Sequence, residues 1–379
     1  MFVNSFFPEI TGNFGFGCMR LPMKDGEVDH NEFCRMADEF IAAGFNYFDT
    51  AHGYIGGRSE TAIRECVSKR FDRTRFLLTN KLSDPYFEKE EDILPFFKSQ
   101  LELCGVDYFD FYLMHAQNAV NFKKYKACRA YETAFELKKQ GLVKHVGISF
   151  HDSADVLDMI LTEYPELEAV QIQFNYIDFD DPQVQSKKCY DVCVKHGKPC
   201  IIMEPVKGGT LANLPKECST YFKKLDPSKT AASYAVRFAA SFDNVMMVLS
   251  GMSSYDQMAD NLSSMTEFKP LSKKEFAAVD KTINAFRNLK LIPCTGCRYC
   301  IEQNECPANI RIPDIFEVRN NFENFKGWLN FVRYKELTSG DFGKASDCLK
   351  CGMCEDQCPQ HLEIRSLLED AANIFERRQ

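Results

Sequence analysis

Residues 45–54 read FNYFDTAHGY. The run Asn46–Thr50 is apolar and β-prone. It carries an acid, Asp49, at its end, and Tyr54 lies five residues on. A helix-like stretch follows, Ser59–Lys69, and then a second apolar run, Arg75–Asn80, that leads into Lys81. Strand, helix and strand in this short compass make one βαβ unit.

The same unit recurs on both sides. Phe14–Arg20, Phe109–His115, His145–Ser149, Ala169–Phe174, Cys200–Glu204 and Met246–Ser250 are further strand candidates. The helix candidates between them begin with Glu32–Ala43, where Phe33, Met36, Ala37 and Phe40 form a 3.6-residue stripe. Asp92–Leu103, Tyr125–Gln140, Asp155–Glu163, Gln183–His196, Lys229–Ser241 and Tyr255–Ser263 continue the series. Pro227 stands near the start of one helix. Ser272 with Glu275 is a capping box for a last helix through Leu289. Eight βα units in about 250 residues predict a (β/α)8 TIM barrel over residues 1–290. An open doubly wound sheet is the competing fold. Its dinucleotide fingerprint is missing, since Gly12-Asn-Phe-Gly15-Phe-Gly17 has the wrong spacing.

Composition narrows the classes. The 379 residues are 45% hydrophobic and 26% charged, which excludes disorder throughout. Net charge is −8, with no dense Lys/Arg run, so nucleic acid is not expected as a partner. No stretch approaches the ~20 apolar residues of a membrane span. The opening MFVNSFFPEITGNFGFG lacks the basic and apolar regions of a signal peptide, so a cytoplasmic location is expected.

Seventeen cysteines are unevenly spread, and eight of them fall between Cys294 and Cys358. Residues 294–307 read CTGCRYCIEQNECP and residues 348–359 read CLKCGMCEDQCP. The second is the bacterial ferredoxin spacing for a [4Fe–4S] cluster, in which the cysteine before proline serves the other cluster. Cys294, Cys297, Cys300 and Cys358 are thereby assigned to one cluster, and Cys348, Cys351, Cys354 and Cys306 to a second. Zinc also accepts four thiolates, but two such runs favour iron–sulfur. The first run has five residues before its last cysteine, a small loop insertion. Residues 291–379 then form a small, mostly α-helical ferredoxin-like domain. Within it, Ile315, Val318, Phe322 and Phe325, then Trp328, Leu329 and Val332, have helical spacing and are expected to pack around the clusters. Leu362–Phe375 reads as a closing helix. Disulfides are rare in the expected compartment. The remaining nine cysteines read as packing residues, Cys189 and Cys193 on one helix face among them.

Barrel chemistry gathers at the carboxyl ends of strands. Asp49, Tyr54, Lys81 and His115 fall there. Singly, each has an ordinary structural reading as a cap, a packed ring, a surface lysine or a satisfied core histidine. Together they suit carbonyl reduction, which needs a proton on oxygen as well as a hydride on carbon. Tyr54 can donate the proton if an ammonium such as Lys81 lowers its pKa. Asp49 can hold Lys81 charged, and His115 can orient the carbonyl.

On DTAHGY (Asp49–Tyr54), TNK ending at Lys81, LMHA around His115, GIS ending at Ser149, VQIQFNY, MEPVKGG and SGMSSYDQMADN, the sequence resembles the aldo-keto reductases over roughly residues 10–285. The resemblance implies an oxidoreductase that interconverts a small carbonyl compound and its alcohol with NADPH or NADH at the barrel mouth. It implies that Asp49, Tyr54, Lys81 and His115 are the catalytic tetrad. Ser149 and Gln171 would contact the nicotinamide amide, and Met203 falls where many members stack an aromatic ring on the nicotinamide. Glu204, Pro205 and Val206 would line the pyrophosphate path. Gly251, Met252, Ser253, Ser254, Gln257 and Asn261 would hold the adenosine end. Gly251 and Gln257 stand where many NADPH-using members place Lys and Arg, which leaves NADH open. Lys207 is either a substitute cation or a solvent-facing loop residue. The cysteine-rich part resembles α-helical two-cluster ferredoxin domains. Hydride transfer moves two electrons and each cluster one. The clusters are therefore structural, redox-sensing, or in exchange with a ferredoxin or flavoprotein partner. The alternative is an electron-transfer or redox-sensing protein that uses the barrel as a docking scaffold.

Overall fold

The computed structural model describes residues 5–302, 306–325 and 327–376, with backbone alone for 324 and 325. The loop insertion at Gln303–Glu305 and the Phe325 side chain lie outside the described residues. Chain packing divides the protein into two compact units, Met1–Val206 with Pro227–Phe276, and Lys207–Asp226 with Ala277–Gln379. The division falls within the helix Lys273–Arg287, ahead of the boundary at 290 read from the motifs.

In the first unit the barrel strands are β1 (Phe14–Gly17), β2 (Tyr47–Asp49), β3 (Leu77–Leu82), β4 (Phe109–Gln117), β5 (Val143–Phe150), β6 (Ala169–Gln173), β7 (Cys200–Met203) and β8 (Val245–Gly251). Each pairs in parallel with the next, and β8 pairs with β1 to close the barrel. The register levels Gly17 with Asp49 and Gly251, and Ser149 with Gln171. The candidate residues thus lie along one rim. At the opposite end Phe7 and Ile10 cap an apolar floor with Tyr47, Leu77 and Phe111. Burying a large ring of this kind stabilises by ~1.5–3 kcal/mol. Several charged groups at that end are paired. Asp110 accepts from Arg73 and Lys144, and His145 lies 2.7 Å from Glu9 and 2.8 Å from Glu168.

The helices follow the apolar stripes. His30–Ala42 buries Phe33, Met36, Ala37 and Phe40, and Asp29 accepts from the Glu32 N–H at its start. The capping box is present, with the Ser272 N–H donating to Glu275 and the Glu275 N–H to the Ser272 hydroxyl. Two expectations are corrected. Tyr125–Gln140 is not one helix but two, Asn121–Ala127 and Ala130–Lys139. Arg129, at φ +52°, breaks it without any glycine or proline to announce the turn. Pro227 does not open a helix, because Thr230 caps Ala231–Ala240.

The second unit contains an unforeseen helix, Lys216–Leu225, together with Ile312–Phe325, Leu329–Leu337 and Ile364–Phe375. Its core includes Ile315, Phe316, Val318, Tyr334, Leu368 and Phe375. Tyr334 and Phe375 stack with centroids 4.8 Å apart. Trp328 and Leu329 do not pack around the clusters. They are 70% and 65% exposed. The helix restarts at Leu329, which resets the phase and turns Phe331 and Tyr334 inward instead. Among the described residues no helix is long and apolar enough to cross a membrane.

Candidate active site and cysteine centres

The last residue of β2, Asp49, and Lys81 on β3 meet at the rim. Lys81 Nζ donates to Asp49 Oδ1 at 2.6 Å and to the Thr50 carbonyl at 2.8 Å, and Gln171 Nε2 donates to Asp49 Oδ2 at 3.1 Å. Burial pushes the Asp49 carboxyl up and the Lys81 ammonium down, and their mutual attraction offsets part of each shift. Lys81 Nζ also lies 4.9 Å from the Tyr54 ring centroid. The Tyr54 and His115 rings stand edge to face at 6.0 Å. The four residues, from the ends of three strands, are therefore gathered at one place. Burial, with Lys81 as the next cause, holds His115 well below the ordinary histidine range, so its ring is neutral at pH 7.

The loop that carries Tyr54 is anchored by residues that sequence reading missed. Glu60 is fully buried. It lies 2.7 Å from His52 Nδ1 and accepts from Asn80 at 2.8 Å. Gln100 joins Asn80, and Tyr112 donates to Gln100. Thr50 and Ser59 hydroxyls are 2.7 Å apart, and Ser59 donates to the Cys18 carbonyl. Ser83 Oγ is 2.7 Å from His115 Nδ1. These pairs span 8 to 41 residues in sequence, and no local motif signals them.

The residues expected to hold a dinucleotide line the same rim. Ser149 accepts from the Ala116 N–H, and Ser254 caps the helix Tyr255–Met265. Gln257 accepts from the Ser253 N–H, and Met252 is buried. Asn261 is buried. It donates to Ser250, and its buried Oδ1 has no hydrogen-bond partner, an unmet acceptor where the adenosine end is expected. Arg20, also missed, packs beside Gly251 and lies 3.8 Å from Glu204. Glu204 is in the left-handed region, and its carbonyl accepts from Asn175.

The cysteine runs lie in the second unit. Cys300, Cys306, Cys348, Cys351 and Cys354 all line one pocket. Burial and the neighbouring thiols of Cys297, Cys294, Cys358 and Cys354 raise the Cys300 thiol strongly. Burial pushes Cys354 up to about 11, with Glu355 and Cys348 adding to it. A metal centre would have to displace these protons. The Gly296 backbone N–H donates to the Cys294 sulfur at 3.4 Å. Such donors stabilise cluster thiolates. Among the described residues no group of three or more His, Cys, Asp or Glu is gathered for a single metal ion.

Lys207 is buried rather than solvent-facing, and its Nζ donates to Gln360 at 2.6 Å. Gly208, at φ +63°, lets the chain pass so close to Thr295 that a Cβ would lie 2.1 Å from the Thr295 carbonyl oxygen. Of the other cysteines, Cys18, Cys189 and Cys193 are buried as expected. Cys34 and Cys66 form a pair not foreseen, with sulfurs 2.6 Å apart.

Residues 13–284 match the model of the Aldo/keto reductase family, and residues 293–362 match a 4Fe-4S dicluster domain. A Bacillus subtilis protein described as the uncharacterized oxidoreductase YqkF is 22% identical over 70% of this chain and 90% of its own length. The NADH-specific methylglyoxal reductase of Escherichia coli is 24% identical over 50% of this chain and 61% of its own. In fold, the chain resembles the holo form of aldo-keto reductase AKR11C1 from Bacillus halodurans (TM-score 0.59, 23% identity, covering 72% of this chain and 92% of that one). It also resembles an aldo-keto reductase from Klebsiella pneumoniae in complex with NADPH (TM-score 0.58, 17% identity, covering 71% and 90%).

Proposed function

The chain belongs to the aldo/keto reductase family, and from that premise we propose that it reduces an aldehyde or ketone to its alcohol, or runs the reverse, with NADH or NADPH. The observation that carries this reading is the convergence of Asp49, Lys81, Tyr54 and His115 at the rim. The nicotinamide cofactor, when bound, supplies the hydride. Tyr54 gives its hydroxyl proton to the carbonyl oxygen as charge builds there. The Lys81 ammonium beside the ring favours the phenolate that is left. Asp49 and the Thr50 carbonyl fix that ammonium in place. Neutral His115 donates to the carbonyl oxygen and sets its direction.

Ser149, Gln171 and Met203 would hold the nicotinamide. Glu204, Pro205 and Val206 would follow the pyrophosphate. Gly251 to Ser254, Gln257 and Asn261 would take the adenosine end. NADH use draws support from the neutral residues at Gly251 and Gln257 and from the name of the Escherichia coli relative. Cys294, Cys297, Cys300 and Cys358 would hold one [4Fe–4S] cluster, and Cys306, Cys348, Cys351 and Cys354 a second. Each cluster, when bound, carries one electron at a time. A ferredoxin or flavoprotein is the class of partner that could exchange those electrons.

The test is anaerobic purification followed by carbonyl-dependent oxidation of NADH and NADPH. Tyr54→Phe is expected to abolish turnover and leave the cluster absorption unchanged. Normal turnover in that variant would overturn the reading.

A further inference from the structure

His115 is 7% exposed and neutral, so only one of its two ring nitrogens carries a proton. Which one matters, because a carbonyl oxygen can be held only by a nitrogen that donates. The ring has one partner on its inner side. Ser83 Oγ, 3% exposed, lies 2.7 Å from Nδ1. At that distance one of the two atoms must donate to the other.

The hydroxyl has one proton to place. Its other neighbour, the Lys81 carbonyl oxygen, is 3.5 Å away, well beyond the usual 2.7–2.8 Å for an O–H···O bond. If Nδ1 carried the proton and donated to Ser83, the buried hydroxyl would be left without a good acceptor. That is a penalty proteins avoid. With Ser83 donating to Nδ1, both groups are satisfied and the imidazole proton sits on Nε2.

We infer that Ser83 is a positioning residue that holds His115 in the Nε2–H form, ready to donate to the substrate carbonyl. The inference rests on the carbonyl-reductase reading for its consequence, but not for its geometry. Ser83 stands two residues beyond Lys81 on the same segment, so the lysine and the histidine's orienter are fixed by one stretch of chain. Its role is then to choose a tautomer, and the reacting atoms never meet it.

The experiment is nitrogen NMR of the 15N-histidine-labelled holo-protein, with His115→Asn identifying the His115 signals by their loss. The expected wild-type pattern has an unprotonated Nδ1 and a protonated Nε2. Ser83→Ala should mix the tautomers and lower kcat about tenfold or more, leaving the nucleotide KM unchanged. Ser83→Thr, which keeps the hydroxyl, should restore both the pattern and the rate. A proton on Nδ1 in the wild type, or an unchanged pattern in Ser83→Ala, would overturn the inference. The wild-type spectrum decides the point even where the alanine variant does not fold. Absence of any carbonyl turnover would instead strike the functional reading, while the nitrogen pattern still judged Ser83.

Discussion

Lys81 Nζ stands 2.6 Å from Asp49 Oδ1, and both side chains are buried. Two charges out of water gain less from each other than they lose in hydration unless every lone pair is met. Here burial moves both groups toward their neutral forms, which marks the pair as costly to the fold. Replacing both partners, Asp49→Asn with Lys81→Met, is expected to cost the barrel less than either single replacement, because no charge is then left buried alone. Either single replacement should cost about 3–5 kcal/mol, because it strands one buried partner. Turnover should vanish in every variant that lacks Lys81. Chemical denaturation of the four proteins checks this. A double variant less stable than either single would contradict it.

His145 lies between Glu9 and Glu168 at the barrel floor. Burial alone would lower it, but the two carboxylates outweigh that and raise it. A raised folded-state pKa means that its stabilisation is complete below the unfolded value, about 6.5, and is lost as pH climbs through the folded value. Glu168 behaves in the opposite sense. Burial would raise it, but His145 and Lys138 hold it low, so its contribution is lost as pH falls through its depressed value. Thermal melts at rising pH above 6.5 should show a decline in the wild type that His145→Gln removes. Parallel curves for the two proteins would refute this account.

Cys306 closes the first run after five intervening residues yet lines the pocket of the second run. Cys306→Ser is expected to lose about half the iron and labile sulfide, and Cys358→Ser the other half. After dithionite reduction, EPR of each variant should show one isolated cluster where two interacting clusters are expected in the wild type. Full iron in Cys306→Ser would remove it from the ligand set.

Gly208 is required by a close approach. A side chain there would meet the Thr295 carbonyl at 2.1 Å, next to Cys294. Gly208→Ala should therefore lower iron content and speed cluster loss to a chelator. Gly209→Ala is the control. It also has positive φ, at +96°, but nothing lies within 4 Å of the added methyl. It carries the same kind of backbone strain, ~1–2 kcal/mol, without the collision. Equal iron loss in both would assign the effect to strain rather than to the contact.

The eight strands were legible because each is a short apolar run that must be buried on both faces. Asp49, Lys81 and His115 were legible because polar residues at the ends of such runs have few structural excuses. The cysteine runs were legible because ligand spacing is local. What escaped was set by contacts across the chain. Ser83 meets His115 over 32 residues, and Cys34 meets Cys66 over the same span. Glu60 finds Asn80 and Gln100 only once the barrel has closed. The break at Arg129 and the outward face of Trp328 escaped for a different reason. Helical periodicity gives a stripe but not the residue at which its phase restarts.

The buried Glu60 carries a consequence for how this barrel can diversify. Through His52, Asn80 and Gln100 it fastens the Tyr54 loop to a strand and a helix of the scaffold. On the proposed reading, the proton donor Tyr54 is thus tied to the scaffold rather than to the changeable loops of the mouth. Loops elsewhere around the mouth can be lengthened, exchanged or redesigned to admit new substrates while the acid stays where it is. Remodelling that reaches Glu60 forfeits that freedom.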